Sequence, residues 1–438
     1  MAFEERPINA NLPPTAGSDP PREKATKAAR AKRRRKPVPT ALKAIAGLLL
    51  LAVVFLVAAI LGGRGGGSES AEAPAPVSEA PGGAAEAPPS QTSDELGFPA
   101  FATANTTRVG GGDAASTAAG VALATYPSGQ PSQQPAAVTL VDAGEWRTAI
   151  AASALMAAPI GAPILVSEAG GMPDATSEAL SALDPQGSEA TGGAQVFAIG
   201  AADSPDDRRT HRVKAGGAAG AAAIAALLEK LTGSPPKHIV VAPSATPAFA
   251  MPAAAWAARA GDPILFAGHG SLPKPTAKAL KADSKTPVYV LGPSSAISSD
   301  VVREIAKLSP RVRRVSGEDP VTNAIEFARY SEGGFGWNIN DPGHGFVVAN
   351  STEPLDAAAA APLSASGTWG PLLLTDSADT LPSALHGYLL DVKPGYTTDP
   401  TRAFYNHVWV IGDQEAISVN EQAEIDELAA LARIGGER

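Results

Sequence analysis

The chain has 438 residues and a formal net charge of -9, with 44 glycines, 40 prolines and no cysteine. At roughly 150 residues per domain, that length asks for two or three domains rather than one core. The lack of cysteine excludes a disulfide framework, Cys-ligated zinc and a Cys nucleophile, and a strongly basic start beneath the acidic total excludes a uniformly acidic body.

Residues 1–43 carry Pro, Asn, Gly and Ser early and then many Lys and Arg, including the run Lys32-Arg33-Arg34-Arg35-Lys36. Like charges at that density repel and build no core, so a disordered basic tail is predicted. Residues 44–62 read AIAGLLLLAVVFLVAAILG, without charge or proline. As a helix this run would reach roughly 28 Å, about the thickness of the bilayer hydrocarbon. Basic residues precede it and only Arg64 follows closely, so the tail is predicted cytoplasmic and the rest of the chain extracytoplasmic. With a membrane span next to it, the basic run reads as a topology signal touching anionic lipid and not as a nucleic-acid arm. The span is longer than a signal-peptide core, and no small-x-small cleavage site follows it. Residues 63–97 are Gly, Ala, Pro, Ser and Glu with almost nothing large and apolar, which predicts an extended spacer.

From residue 98 onward the chain repeats itself. Three strings led by arginine recur: TRVGGGD at 107–113, HRVKAGG at 211–217 and RRVSGED at 313–319. Their arginines, Arg108, Arg212 and Arg314, are 104 and 102 residues apart. Each string is followed by a helical stretch and a short apolar run at 136–141, 238–242 or 345–349. An Ala-rich segment and a Pro-led apolar run come next, headed by Pro163, Pro263 and Pro371. Each copy closes on a strand ending in Gly200, Gly292 or Gly412. Apolar runs that do not alternate suit parallel strands covered on both faces. Strand–helix–strand alternation predicts an α/β fold of three tandem Rossmann-like parallel-sheet repeats, at 98–207, 208–310 and 311–438.

This order of strings resembles the cell wall-binding repeat type 2 family, which occurs on surface proteins of Gram-positive bacteria, usually as three tandem copies. The third copy carries the resemblance best, through Asp356-Ala-Ala-Ala-Ala-Ala-Pro362-Leu363, Gly370-Pro371-Leu372-Leu373-Leu374-Thr375, Leu381-Pro382 and Ala416-Ile417-Ser418. The resemblance implies a pseudo-threefold assembly and non-covalent attachment to an anionic cell-wall polymer, with no reaction and no cofactor. The first two copies depart from the pattern, with Thr148 and Phe249 where the third has Asp356, and the third carries an insertion at 390–406.

Ligand-facing groups in such sheets lie at the carboxyl ends of the strands. In the third copy these ends are Asn350–Glu353 and Thr375–Asp379, with Asn350, Ser351, Thr375 and Asp376 as the candidate contacts. Arg108, Arg212 and Arg314 suit bidentate recognition of phosphate or carboxylate, and equally suit pairing within the interfaces between copies. Asp356 suits a ligand contact or a cap on its own helix. Gly110–Gly112 match neither phosphate-loop spacing. His269 and His344 have no partner at metal-ligand spacing, and neither Ser244 nor Ser351 has an identifiable base. The expected protein is therefore a membrane-anchored wall-binding protein without catalytic residues, cofactor or metal. A scaffold for an envelope protein partner and an α/β sensor or hydrolase remain as alternatives.

Overall fold

The computed structural model describes residues 101–309, 311–365 and 370–434. The basic tail, the span expected at 44–62 and the spacer at 63–97 lie outside the described residues. Among those described, no helix is long and apolar enough to cross a membrane.

In chain order, β1 (Phe101–Ala102) and β2 (Thr106–Val109) precede four strands, β3 (Val138–Asp142), β4 (Ile164–Ser167), β5 (Val196–Ile199) and β6 (Thr210–Val213). Four more follow: β7 (Ile239–Pro243), β8 (Ile264–Ala267), β9 (Val288–Leu291) and β10 (Val312–Val315). The last are β11 (Gly345–Asn350), β12 (Leu372–Thr375), β13 (Gly395–Tyr396), β14 (His407–Ile411) and β15 (Ala432–Arg433). Helices alternate with them, as the apolar runs predict. β13 pairs with β15 as a separate two-stranded sheet, and the other strands form three larger sheets, ordered β4-β3-β5-β6, β8-β7-β9-β10 and β12-β11-β14-β2-β1. All their pairings are parallel except β1 with β2. Every residue of β4, β5, β8, β9 and β12 is buried, as strands covered on both faces require. Pro163, Pro263 and Pro371 sit just before β4, β8 and β12, where a missing N–H breaks no ladder bond.

The outermost parallel strand of each sheet, on the side away from β4, β8 or β12, is an arginine-led strand. The arginine-led strand β6 pairs with β5, and β10 pairs with β9. The earliest such strand, β2, pairs with β14, with Val109 opposite Ile411. The closure is thus cyclic: each arginine-led strand completes the sheet that precedes it, and the first completes the last. One backbone bond repeats at all three seams. Gly200 donates to Val213 O at 2.8 Å, Gly292 to Val315 O at 3.0 Å, and Gly412 to Val109 O at 3.1 Å. The three glycines have φ of 70°, 94° and 93°, which side chains rarely tolerate.

The Ala-rich helices meet at the centre. Trp146–Ala152, Pro247–Ala260 and the broken pair Pro354–Ala359 and Ala361–Ala365 contact one another and share one apolar core. Ala151, Ala254 and Ala358 are fully buried there. Methyl side chains let the backbones approach closely, so adding bulk would force them apart at about 1–3 kcal/mol per site.

Candidate functional site

In the third sheet the chain leaves β11 to form β12 on one side and returns to form β14 on the other. Loops after β11 and β14 therefore diverge, and the crevice at their carboxyl ends is the switch point where parallel sheets bind ligands. A cavity of about 290 Å³ opens there. Its walls are Asn350–Asp356 after β11, Gly412–Ala416 after β14, and Gly111–Thr117 after β2. The cyclic closure thus builds one wall from the start of the described chain.

Each wall is held by its own bonds. Asn350 donates from Nδ2 to Ala416 O at 2.8 Å, tying the β11 loop to the β14 loop. Its Oδ1 accepts from Thr352 N at 3.0 Å and from the Thr352 hydroxyl at 2.8 Å. Asp413 Oδ1 accepts from Glu415 N at 2.9 Å and Ala416 N at 3.1 Å, fixing the turn after Gly412. Asp113 caps the Ala114–Thr125 helix by accepting from Ser116 N at 2.7 Å. Gly110, at φ 144°, lies so close to the β14 end that a Cβ would stand 2.7 Å from Gly412 N. The glycine run serves this close approach, with Gly111 and Gly112 on the cavity wall.

Asp356 does not cap its helix. Glu353 holds the cap position, without a side-chain bond, and Asp356 stands at the third helical residue. Its side chain lines the cavity at 5 % exposure, and its carboxylate accepts no hydrogen bond among the described residues. Burial, reinforced by the charges of Glu353, Asp413 and Asp113, pushes this acid up to about 7.

Arg108, on β2, is not part of the lining. It is 2 % exposed and wholly engaged by the protein. Nε donates to Gln422 Oε1 at 2.9 Å, Nη1 to Gly412 O at 3.0 Å and Asp413 O at 2.6 Å, and Nη2 to Ile417 O at 2.6 Å. Burial lowers its pKa, opposed by the charges of Asp413 and Glu421. Arg314 makes the equivalent bonds at its seam, to Gly292 O at 2.5 Å and Ile297 O at 2.7 Å. Arg212 is exposed and reaches Ser204 Oγ at 2.6 Å and Ala202 O at 3.4 Å. The three arginines are therefore on three separate seams, not gathered at one site.

The remaining residues expected from the sequence fall at the next turn. Thr375 is buried and donates to Ser377 O at 3.0 Å, and its carbonyl accepts from Ser351 N at 2.8 Å. Asp376 is exposed beside it. Close by, Glu421 is 1 % exposed with neither carboxylate oxygen hydrogen-bonded, because the Thr375 proton goes to Ser377. Burial, with repulsion from Glu424, Asp376 and Asp379, pushes Glu421 up to about 7.

The equivalent crevices of the other two sheets are differently filled. In the first, Asp142 accepts from Gly144 N at 2.9 Å and Ala201 N at 3.1 Å, and Glu145 pairs with Arg147 at 3.0 Å. In the second, Pro243 and Phe249 close over Gly292, where a Cβ would meet them at 3.6 and 3.7 Å. Sequence reasoning singled out Asn350 and Asp356 and placed Glu353 at the same strand end, but it did not single out Asp113, Asp413 or Glu415. The one available signal was Asp113 immediately ahead of a helical run, a capping pattern.

Residues 218–302 and 314–421 match Cell wall binding domain 2 (CWB2). These two tandem regions carry the match to the family, as the resemblance implied. Two solved structures share the fold at 20 % identity, Cwp6 and Cwp8 from Clostridium difficile, with TM-scores of 0.59 and 0.55. The superpositions take in 74 % and 75 % of this chain but 47 % and 52 % of those proteins, so the chain spans about half the length of either. No curated protein matches the sequence.

Proposed function

We propose that residues 98–438 attach the protein non-covalently to a polymer of the cell envelope, at the bacterial surface, as three linked copies of one repeat. The observation that carries this reading is the pair of CWB2 matches, which belong to a family of binding domains rather than of enzymes. The sheet order recurs three times with the same seam bond, which supports a third copy at 98–207. Binding through several linked weak sites raises avidity without one tight site. The cavity at the third sheet is the contact we assign, through Asn350 and Asp356, with Ser351, Thr375 and Asp376 on the neighbouring turn. Arg108, Arg212 and Arg314 are assigned to the seams, since their guanidinium groups already hold backbone carbonyls or Ser204. Residues 44–62 would anchor this body to the membrane with the basic tail in the cytoplasm.

The second reading, a scaffold for an envelope protein partner, draws on the filled crevices of the first two sheets. Sedimentation of the full chain with purified wall separates the two. Wall that keeps its secondary polymers is expected to pellet the protein, and wall stripped of them is expected to leave it in solution. Equal behaviour on both walls would overturn polymer attachment.

A further inference from the structure

We infer that the cavity at the third sheet takes a positively charged group of its ligand, a primary ammonium carried by the wall polymer, and not a phosphate. This rests on the attachment reading and names the chemistry of its contact. Five carboxylates face or rim the cavity, from Asp113, Glu353, Asp356, Asp413 and Glu415, and its lining contains no Lys, Arg or His. Arg108 is outside the lining, and its guanidinium is already held by Gly412 O, Asp413 O and Ile417 O. The helix end that could welcome an anion, at Ala114, is already capped by Asp113.

Asp356 supplies the independent observation. It is 5 % exposed, lies on the cavity wall with Oδ2 beside Gly412, and accepts no hydrogen bond from the described protein. A buried carboxylate without a donor is costly, and such groups are paired in most proteins. An ammonium brings up to three N–H donors and the missing counter-charge. It would meet Asp356 at depth, with Glu353 and Glu415 nearer the mouth. The raised pKa of Asp356 adds a signature: near neutrality part of the population is protonated, and binding an ammonium to it releases that proton.

The test is calorimetry on the full chain, using glucosamine and methylammonium as probes against N-acetylglucosamine, inorganic phosphate and calcium chloride. The amines are expected to bind at least about tenfold more tightly than the acetylated sugar, a charge-assisted bond's effect. At pH 7 their heat should vary with the ionisation enthalpy of the buffer. D356N should abolish the preference, and E353Q, on an exposed residue that cannot unfold the protein, should reduce it about threefold. On the wall itself, N-acetylation of all amines should release the protein, and mild base tells whether aminoacyl esters carry them. Equal binding of amine and acetylated sugar, binding of phosphate or calcium alone, or an undiminished amine preference in D356N would overturn the inference. Undiminished pelleting on N-acetylated wall would also overturn it while leaving attachment intact. No pelleting on native wall would remove attachment, and the calorimetric contrast would still decide what the cavity accepts.

Discussion

Replacing the three seam arginines by alanine one at a time separates a structural role from a ligand-binding one. Arg108→Ala removes a buried cation bonded to three backbone carbonyls and to Gln422. The orphaned Gly412, Asp413 and Ile417 carbonyls each lose a charged donor, and water reaches the space poorly because the residue is 2 % exposed. A buried acceptor left unpaired costs about 1–3 kcal/mol, and breaking a buried charged cluster typically about 3–5 kcal/mol in all. Asp413 and Glu421 also lose their counter-charge. Arg314→Ala removes two carbonyl bonds at a half-buried site and should cost about 2 kcal/mol. Arg212→Ala breaks one good bond at an exposed site and should cost less than about 1 kcal/mol. Urea denaturation of the three variants should therefore show a steep order, Arg108 first and Arg212 last. Equal costs, or an Arg108→Ala protein as stable as the parent that no longer pellets with wall, would refute the structural assignment.

Two pH effects follow, one from a buried acid and one from a histidine. Glu421 keeps its proton in the fold up to about 7 while an unfolded glutamate ionises near 4.5, so its contribution falls as pH rises between those values and is flat above. E421Q should match the parent near pH 4 and exceed it at pH 8 by up to about 3 kcal/mol, read from thermal unfolding; a loss at pH 8 would contradict this. Asp376, Asp379 and Glu424 repel the same carboxylate, and Arg108, the cation it also faces, keeps Asp413 and its carbonyl partners in E421Q. His238 has the opposite sign. Its Nδ1 sits 3.0 Å from Asp262 Oδ2 and its Nε2 3.2 Å from Gly333 O, and the Asp262 hydrogen bond raises its pKa against burial and Lys237. Its stabilisation is full below the unfolded value of about 6.5 and is lost as pH rises through the folded one. The gap between parent and H238Q should be wide at pH 6 and narrow by pH 9, and a gap independent of pH would count against a charged histidine.

Short apolar runs, their prolines and their closing glycines were legible because each is a local signal. The apolar run Val288–Leu291 before Gly292 reads as a strand end wherever its partner lies. The partner of β2 was not legible. Its pairing with β14 joins residues some 300 positions apart, and nothing in TRVGGGD says which sheet it will complete. The arginines were noticed for their chemistry, yet their partners are main-chain carbonyls, which leave no mark in a side-chain pattern. Asp356 was visible as a helix-start aspartate. Its inward turn was not, since capping and burial differ by only three positions along one helix.

The cavity and the ring closure are one construction. Asp113, Gly111 and Gly112 reach the site only because β2 leaves its own stretch of chain and completes the third sheet. Arg108 then locks that strand from below through the loop that carries Asp413, itself a wall of the cavity. An acidic crevice is costly to assemble, because each carboxylate raises the burden on the others, and Asp356 bears most of it. The first two sheets avoid that burden in different ways, one by hydrogen-bonding Asp142 and pairing Glu145, the other by filling the space with Pro243 and Phe249. The third sheet keeps the burden, and its carboxylate stays unpaired at the one switch point walled by both ends of the described chain. A site kept at such a cost, next to two relieved sheets, is where a ligand able to neutralise it has most to contribute.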